Sequence, residues 1–288
     1  MRGLIVATVT PFKDDGTLDL DAVNSYVDYL KRSGVDGFFI NGTTGELSLL
    51  SFEEKLEVAK KFLSLTPENT IVGIHENYPR YAVKLAKEVV NQGAKYIASL
   101  PPIYMRPSDK GIIQFYEELS KLGVPVIMYY YPKRLGYEIS VTTISKLVEE
   151  GLIDGIKYTT SNVKDFYFLM KALKGVRSNF LVYVGDDVVL LYGLALGADG
   201  AVSGIANIAP ELVRALMESV KQGDLKRAAD LQEKINELVE AVDYADYPTA
   251  VKEGLKYRGV FVGPSRSPLQ PSNTASSMLY ETMKRLGL

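Results

Sequence analysis

The sequence predicts an α/β chain folded as a (β/α)8 TIM barrel over residues 1–222, with a three-helix C-terminal extension at 223–288 packed on the barrel. Three observations carry that expectation. Short apolar runs alternate with amphipathic stretches eight times, a count that suits a closed barrel better than an open doubly wound sheet. The runs are hydrophobic almost throughout, as strands covered on both faces are, and the links between units are short. No run leads into a G-x-G-x-x-G turn or a P-loop, the nucleotide fingerprints of the open sheet.

Residues 4–10 form a β-rich run stopped by Pro11. Leu20, Val23, Tyr26, Val27 and Leu30 then recur at helical spacing across 19–31. The alternation continues as strand 37–41 and helix 51–65, strand 70–75 and helix 79–91, strand 95–100 and helix 108–122, and strand 125–130 and helix 140–150. The sixth unit is 155–157 with 163–173, the seventh 181–185 with 188–196, and the eighth 200–203 with 210–220. After the polar break Lys221-Gln222-Gly223-Asp224, helical patterns return at 225–242, 248–257 and 272–286.

Composition narrows the chemistry. A net charge of −2 with no block of like charge argues against nucleic acid or an anionic membrane as partner. The chain has no cysteine and one histidine, which removes disulfides, thiolate metal sites and cysteine nucleophiles and leaves a zinc site or a serine triad without its parts. No metal and no other cofactor is therefore expected. No apolar stretch approaches membrane-spanning length, and residues 1–6 run straight into core-like sequence, so a cytoplasmic protein without a signal peptide is expected.

In a barrel of this kind the active site lies at the C-terminal ends of the strands. Those ends carry Asn41-Gly42-Thr43-Thr44, His75, Pro101-Pro102-Ile103-Tyr104, Tyr129-Tyr130-Tyr131, Lys157, Gly185-Asp186 and Ser203-Gly204. Lys157, in Asp154-Gly155-Ile156-Lys157-Tyr158-Thr159-Thr160, is the odd member. An ammonium at the end of a buried strand is costly, so its pKa falls and the neutral amine can attack a carbonyl. A lysine at the strand mouth with its head in solvent fits the same position. Gly42-Thr43-Thr44-Gly45-Glu46 offers free amides and two hydroxyls, a nest for a carboxylate or simply a turn that closes the strand. Tyr129 is a proton carrier beside the lysine or aromatic core filling. His75 reads as a structural or surface residue, Asp186-Asp187 as a cap of the seventh helix, and Met128 and Met170 as core.

These motifs resemble those of the pyruvate-dependent class I lyases and aldolases, which include dihydrodipicolinate synthase, N-acetylneuraminate lyase and 2-keto-3-deoxygluconate aldolase. The resemblance runs from Ala7-Thr8-Val9-Thr10-Pro11-Phe12 to Tyr247-Pro248-Thr249-Ala250-Val251-Lys252. The 42–46 loop is similar to the family's pyruvate-carboxylate loop, Tyr129-Tyr130-Tyr131-Pro132 to its Tyr-Asn-x-Pro, and Gly155-Ile156-Lys157 to its Schiff-base strand. The resemblance implies that Lys157 forms an imine with the keto carbon of pyruvate or of a 2-keto acid. It implies that Thr44 and the amides of Thr43 and Thr44 hold the carboxylate, that Tyr129 shuttles the proton, and that Gly185 and Val202 line the pyruvate pocket. It also implies that Thr43 links Tyr129 to Tyr104 of a neighbouring subunit. The working form is then a homo-oligomer, a homotetramer built as a dimer of dimers.

The expected reaction is reversible aldol cleavage of a 2-keto-3-deoxy sugar acid, of the 2-keto-3-deoxygluconate type, to pyruvate and an aldehyde. Tyr130 stands where the family usually has asparagine, Tyr158 where an acidic or small polar residue follows the lysine, and Ile74-His75-Glu76-Asn77 where many relatives are Gly-rich. Those departures, with many tyrosines near the mouth, favour an acceptor rich in hydroxyls. Arg134 points the other way: it matches an arginine that meets the second substrate's carboxylate in dihydrodipicolinate synthase, which condenses pyruvate with aspartate semialdehyde. Ile103, where lysine-regulated synthases carry tyrosine, argues against feedback inhibition by lysine. From other classes, a catalytically silent keto-acid binder stays open, and a phosphate-binding barrel isomerase draws weak support from Gly185 and Gly204.

Overall fold

The computed structural model describes all of residues 1–288. Eight parallel strands close a barrel in sequence order: β1 (Gly3–Ala7), β2 (Gly37–Ile40), β3 (Thr70–Gly73), β4 (Tyr96–Ser99), β5 (Val126–Tyr130), β6 (Gly155–Tyr158), β7 (Leu181–Val184) and β8 (Gly200–Ser203), with β8 paired back onto β1. The strands are buried nearly end to end, which is why they carry continuous apolar runs instead of alternation.

The outer layer is α1 (Ala22–Arg32), α2 (Phe52–Leu65), α3 (Pro79–Asn91), α4 (Asp109–Ser120), α5 (Pro132–Leu135), α6 (Val141–Glu149), α7 (Val163–Val176), α8 (Leu190–Ala195) and α9 (Pro210–Gln222). Start signals are local: Ser51 and Glu54 close a capping box on α2, and Ser108, Ser140 and Asn162 cap α4, α6 and α7. α10 (Leu225–Asp243), α11 (Thr249–Tyr257) and α12 (Asn273–Leu286) follow, with α10 lying against α9 and α12. Ile235, Leu238, Val251, Leu255 and Leu279 belong to the same apolar cluster as the barrel strands. No helix is long and apolar enough to cross a membrane.

Three local departures from the sequence expectation bear on the site. Residues 132–135 form the short helix α5 just after β5, started by Pro132 and stopped by Gly136 in the left-handed region. β6 runs on to Tyr158, whose ring stacks between Tyr130 and Phe166. α8, the helix of the seventh unit, begins at Leu190, because residues 187–189 tighten into a 3-10 turn.

Candidate active site

Lys157 extends from β6 into the barrel. It is 4% exposed, and its Nζ lies 4.1 Å from the ring centroid of Tyr129 on β5 and 4.8 Å from that of Phe39 on β2. Contact with side chains from strands so far apart in barrel order happens only in the interior. No carboxylate pairs with the ammonium. Loss of water lowers the pKa to about 7, against a weaker upward pull from Asp187. Close to neutrality a large fraction of this lysine is therefore the free amine.

The loop after β2 is held from both sides. The amides of Gly45, Glu46 and Leu47 are taken up by its own turns, whereas those of Thr43 and Thr44 take no part in them. Thr43 Oγ1 lies 3.0 Å from the Tyr129 hydroxyl, and Thr44 Oγ1 lies 2.8 Å from that of Tyr247. Glu46 sits at a φ of 59°, a left-handed conformation that a non-glycine residue keeps only when its surroundings enforce it. Its carboxylate meets Lys252 Nζ at 2.7 Å and accepts the Arg266 amide at 2.9 Å. Lys252 also donates to the Pro264 carbonyl at 2.9 Å, and the Arg266 guanidinium pairs with Glu54 of α2.

A cavity of about 380 Å³ opens at this end of the barrel. Lys157, Tyr129, Thr43, Thr44, Gly185, Val202 and Arg134 all line it, so seven of the residues singled out from sequence meet in one place. Gly185 must stay small: a Cβ there would collide with Thr159 Oγ1 and stand 3.1 Å from Lys157 Cε. Burial raises the Tyr129 pKa, so its phenol stays protonated, with Thr43 opposing the shift. Arg134 is exposed at the rim on α5. Tyr104 is not part of the cavity; it is 88% exposed at a φ of 70°. A larger hollow of about 600 Å³, lined by Lys55, His75, Glu76 and Tyr81 among others, contains neither Lys157 nor Tyr129.

Three residues of the cavity were not placed in the site from sequence. Asp186 caps the 3-10 turn at 187–189, not α8, by accepting the Val188 amide, and Asp187 caps neither. Its carboxylate turns to the end of β8, where Ser203 Oγ and the amides of Gly204 and Ile205 donate to it, the amides at 3.0 and 3.1 Å. Desolvation still pushes its pKa up to about 6. Thr159, 7% exposed, brings its hydroxyl close to both Lys157 and Tyr129, where it joins Thr43 in opposing the rise of the Tyr129 pKa. Tyr247 arrives from the link between α10 and α11. The strand-end rule reaches Asp187 and Thr159 only by one or two more residues of loop, and no local pattern reveals Tyr247.

His75 packs inside the barrel, its ring 5.6 Å from that of Tyr129. Its Nδ1 accepts the Leu100 amide at 2.9 Å, which puts the ring proton on Nε2. Burial, with Lys55 and Lys157 nearby, lowers its pKa to about 3, so it stays neutral.

A closed (β/α)8 barrel carrying at its mouth a desolvated lysine beside a phenol–hydroxyl pair defines a class I, Schiff-base lyase. Over residues 1–285 the sequence matches the model of the dihydrodipicolinate synthetase family, and the chain belongs to that family. It is 32% identical to a 4-hydroxy-tetrahydrodipicolinate synthase of Archaeoglobus fulgidus, over 100% of this chain and 99% of the relative. A DapA-like lyase of Thermofilum pendens is 34% identical over 99% of this chain and 97% of its own length. Among solved structures, YagE from E. coli K12 in complex with pyruvate, a prophage protein of the dihydrodipicolinic acid synthase family, superposes with a TM-score of 0.95. It is 27% identical, covering 100% of this chain and 99% of that one.

Proposed function

We propose that Lys157 is the Schiff-base lysine of this lyase and that the enzyme cleaves a 2-keto-3-deoxy sugar acid reversibly to pyruvate and an aldehyde. The observation that carries the first part is the uncompensated burial of Lys157 beside the Thr43–Tyr129 pair. The neutral amine adds to the keto carbon, and the carbinolamine loses water to give the iminium. That cation draws electrons from the C3–C4 bond, which breaks to release the aldehyde and leave an enamine; protonation at C3 and hydrolysis return pyruvate and the amine. Thr44 and the amides of Thr43 and Thr44 hold the carboxylate, with Gly185 and Val202 as the apolar walls around the methyl end. In cleavage Tyr129 takes the proton from the C4 hydroxyl and passes its own to Thr43; in condensation the transfers reverse.

The sugar-acid reading is favoured by Thr159, which brings a hydroxyl to the cavity wall beside Tyr129 and Lys157. Arg134 at the rim supports a second reading, condensation of pyruvate with aspartate semialdehyde, since a guanidinium suits a carboxylate-bearing acceptor; the activity named for the Archaeoglobus relative agrees with it. Pyruvate supplied with glyceraldehyde, erythrose or aspartate semialdehyde in turn separates the two. Turnover with hydroxyaldehydes and none with the semialdehyde is expected, and the reverse selectivity overturns the first reading.

A homotetramer is part of the proposal. Tyr104 and its neighbour Met105, 73% exposed, form an apolar tip suited to a second copy, and a tyrosine entering from that copy would complete the Thr43–Tyr129 relay. A cytoplasmic setting is included because pyruvate and its aldehyde partners are intracellular metabolites.

A further inference from the structure

The Thr44–Tyr247 pair mirrors the Thr43–Tyr129 pair, yet the reaction as derived leaves Tyr247 idle. Its hydroxyl lies 2.8 Å from Thr44 Oγ1 and against the backbone of Gly204, where an added Cβ would collide with it. It thus spans from the loop after β2 to the end of β8, across the floor of the cavity that holds Lys157. Gly204 is itself fixed, since its amide donates to Asp187.

The proton count of this pair is informative. Two hydroxyls carry two protons, and their mutual hydrogen bond uses one. If Tyr247 donates to Thr44, the Thr44 proton is free; if Thr44 donates, the Tyr247 proton is free. With Tyr247 as the donor the spare proton is on Thr44, the residue whose own amide, like that of Thr43, has no backbone acceptor. The two amides and the spare Thr44 hydroxyl proton are three donors on one loop of the cavity wall, an arrangement suited to an anion. Burial keeps the Tyr247 phenol protonated, so it cannot become a competing negative charge.

We propose that Tyr247 is a positioning residue for the substrate carboxylate, acting through Thr44: it fixes the direction of the free hydroxyl proton so that the nest is set before the keto acid arrives. The segment between α10 and α11 thereby contributes to recognition of the keto acid as well as to packing. The inference rests on the Schiff-base reading of Lys157.

The test is borohydride trapping titrated with pyruvate and, separately, with acetone, which offers the same keto carbon without a carboxylate. Tyr247→Phe keeps the ring and removes the hydroxyl. It is expected to raise the half-saturating pyruvate concentration about three- to tenfold, the worth of the one neutral hydrogen bond that orients Thr44, and to leave that of acetone unchanged. Thr44→Val is expected to weaken pyruvate at least as much, and the double variant no more than Thr44→Val alone. An unchanged pyruvate titration in Tyr247→Phe overturns the inference, as does equal weakening of pyruvate and acetone, which would mark a packing role. Wild-type protein that traps neither ketone overturns the Schiff-base reading and this inference together.

Discussion

Lys157 and Lys252 are both buried, 4% and 3% exposed, and both lie over an aromatic ring, Tyr129 at 4.1 Å for one and Phe12 at 4.3 Å for the other. Their surroundings differ in one respect. Lys252 meets the Glu46 carboxylate at 2.7 Å and the Pro264 carbonyl, whereas the ammonium of Lys157 faces rings and the cavity. Burial lowers both amines, Lys157 to about 7 and Lys252 to about 8 with Glu46 pulling it back up. At neutral pH the paired lysine keeps its charge and acts as a latch on the 42–46 loop, and the unpaired one is free to react. Desolvation makes a nucleophile only where the counter-charge is withheld.

Exchanging or removing these features gives graded outcomes. Lys157→Ala is expected to lower turnover by roughly 10⁴-fold or more while the far-ultraviolet spectrum stays native, because the other lysine lining the cavity, Lys133, is exposed on α5 and not buried in the barrel. Lys252→Met leaves the Glu46 carboxylate buried without its counter-charge, with only the Arg266 amide donating to it. A loss of about 3–5 kcal/mol in chemical denaturation is expected, and a loss below about 1 kcal/mol would mean that the latch contributes little.

Tyr129→Phe is expected to reduce kcat by about 10²–10³-fold with the pyruvate adduct on Lys157 still trapped, which separates proton transfer from imine formation. The stability effect of Lys157→Met has the opposite sign to that at position 252. The folded pKa is depressed from 10.5 to about 7, so between those values the unfolded chain binds more protons and native stability rises with pH. Near pH 7 most of that cost is present, and the apolar replacement is expected to gain on the order of 2 kcal/mol by the same denaturation measurement. Finally, the rate of adduct formation at subsaturating pyruvate should fall about tenfold per pH unit below 7 and level off above it, as the free-amine fraction does. A rate independent of pH from 5 to 9 would place the titrating group elsewhere.

Much of this was legible in the sequence because parallel strands buried on both faces are unmistakably apolar, and an ammonium closing such a strand is anomalous wherever it occurs. Lys157 stood out on that ground and gained its Schiff-base role from the resemblance at Gly155-Ile156-Lys157; Thr43 and Thr44 came from a strand-end motif, and Gly185 and Val202 from the resemblance; the cavity joins them all. Asp186 and Asp187 carry the same capping signal, and only the turn at 187–189 decides which caps that turn and which reaches across to the end of β8. Tyr247 lies 203 residues from Thr44, and the periodicity of α10 does not encode where the chain goes after it ends. Tyr104 matched a motif, but it is 88% exposed and lies outside the cavity of its own chain.

The most direct test of the central claim is borohydride reduction of the folded wild-type protein with pyruvate, followed by peptide mapping. A single reduced pyruvyl adduct on Lys157, with Lys252 unmodified, is the expected result. An adduct on another lysine, or none at all, would contradict the assignment of the uncompensated lysine as the nucleophile.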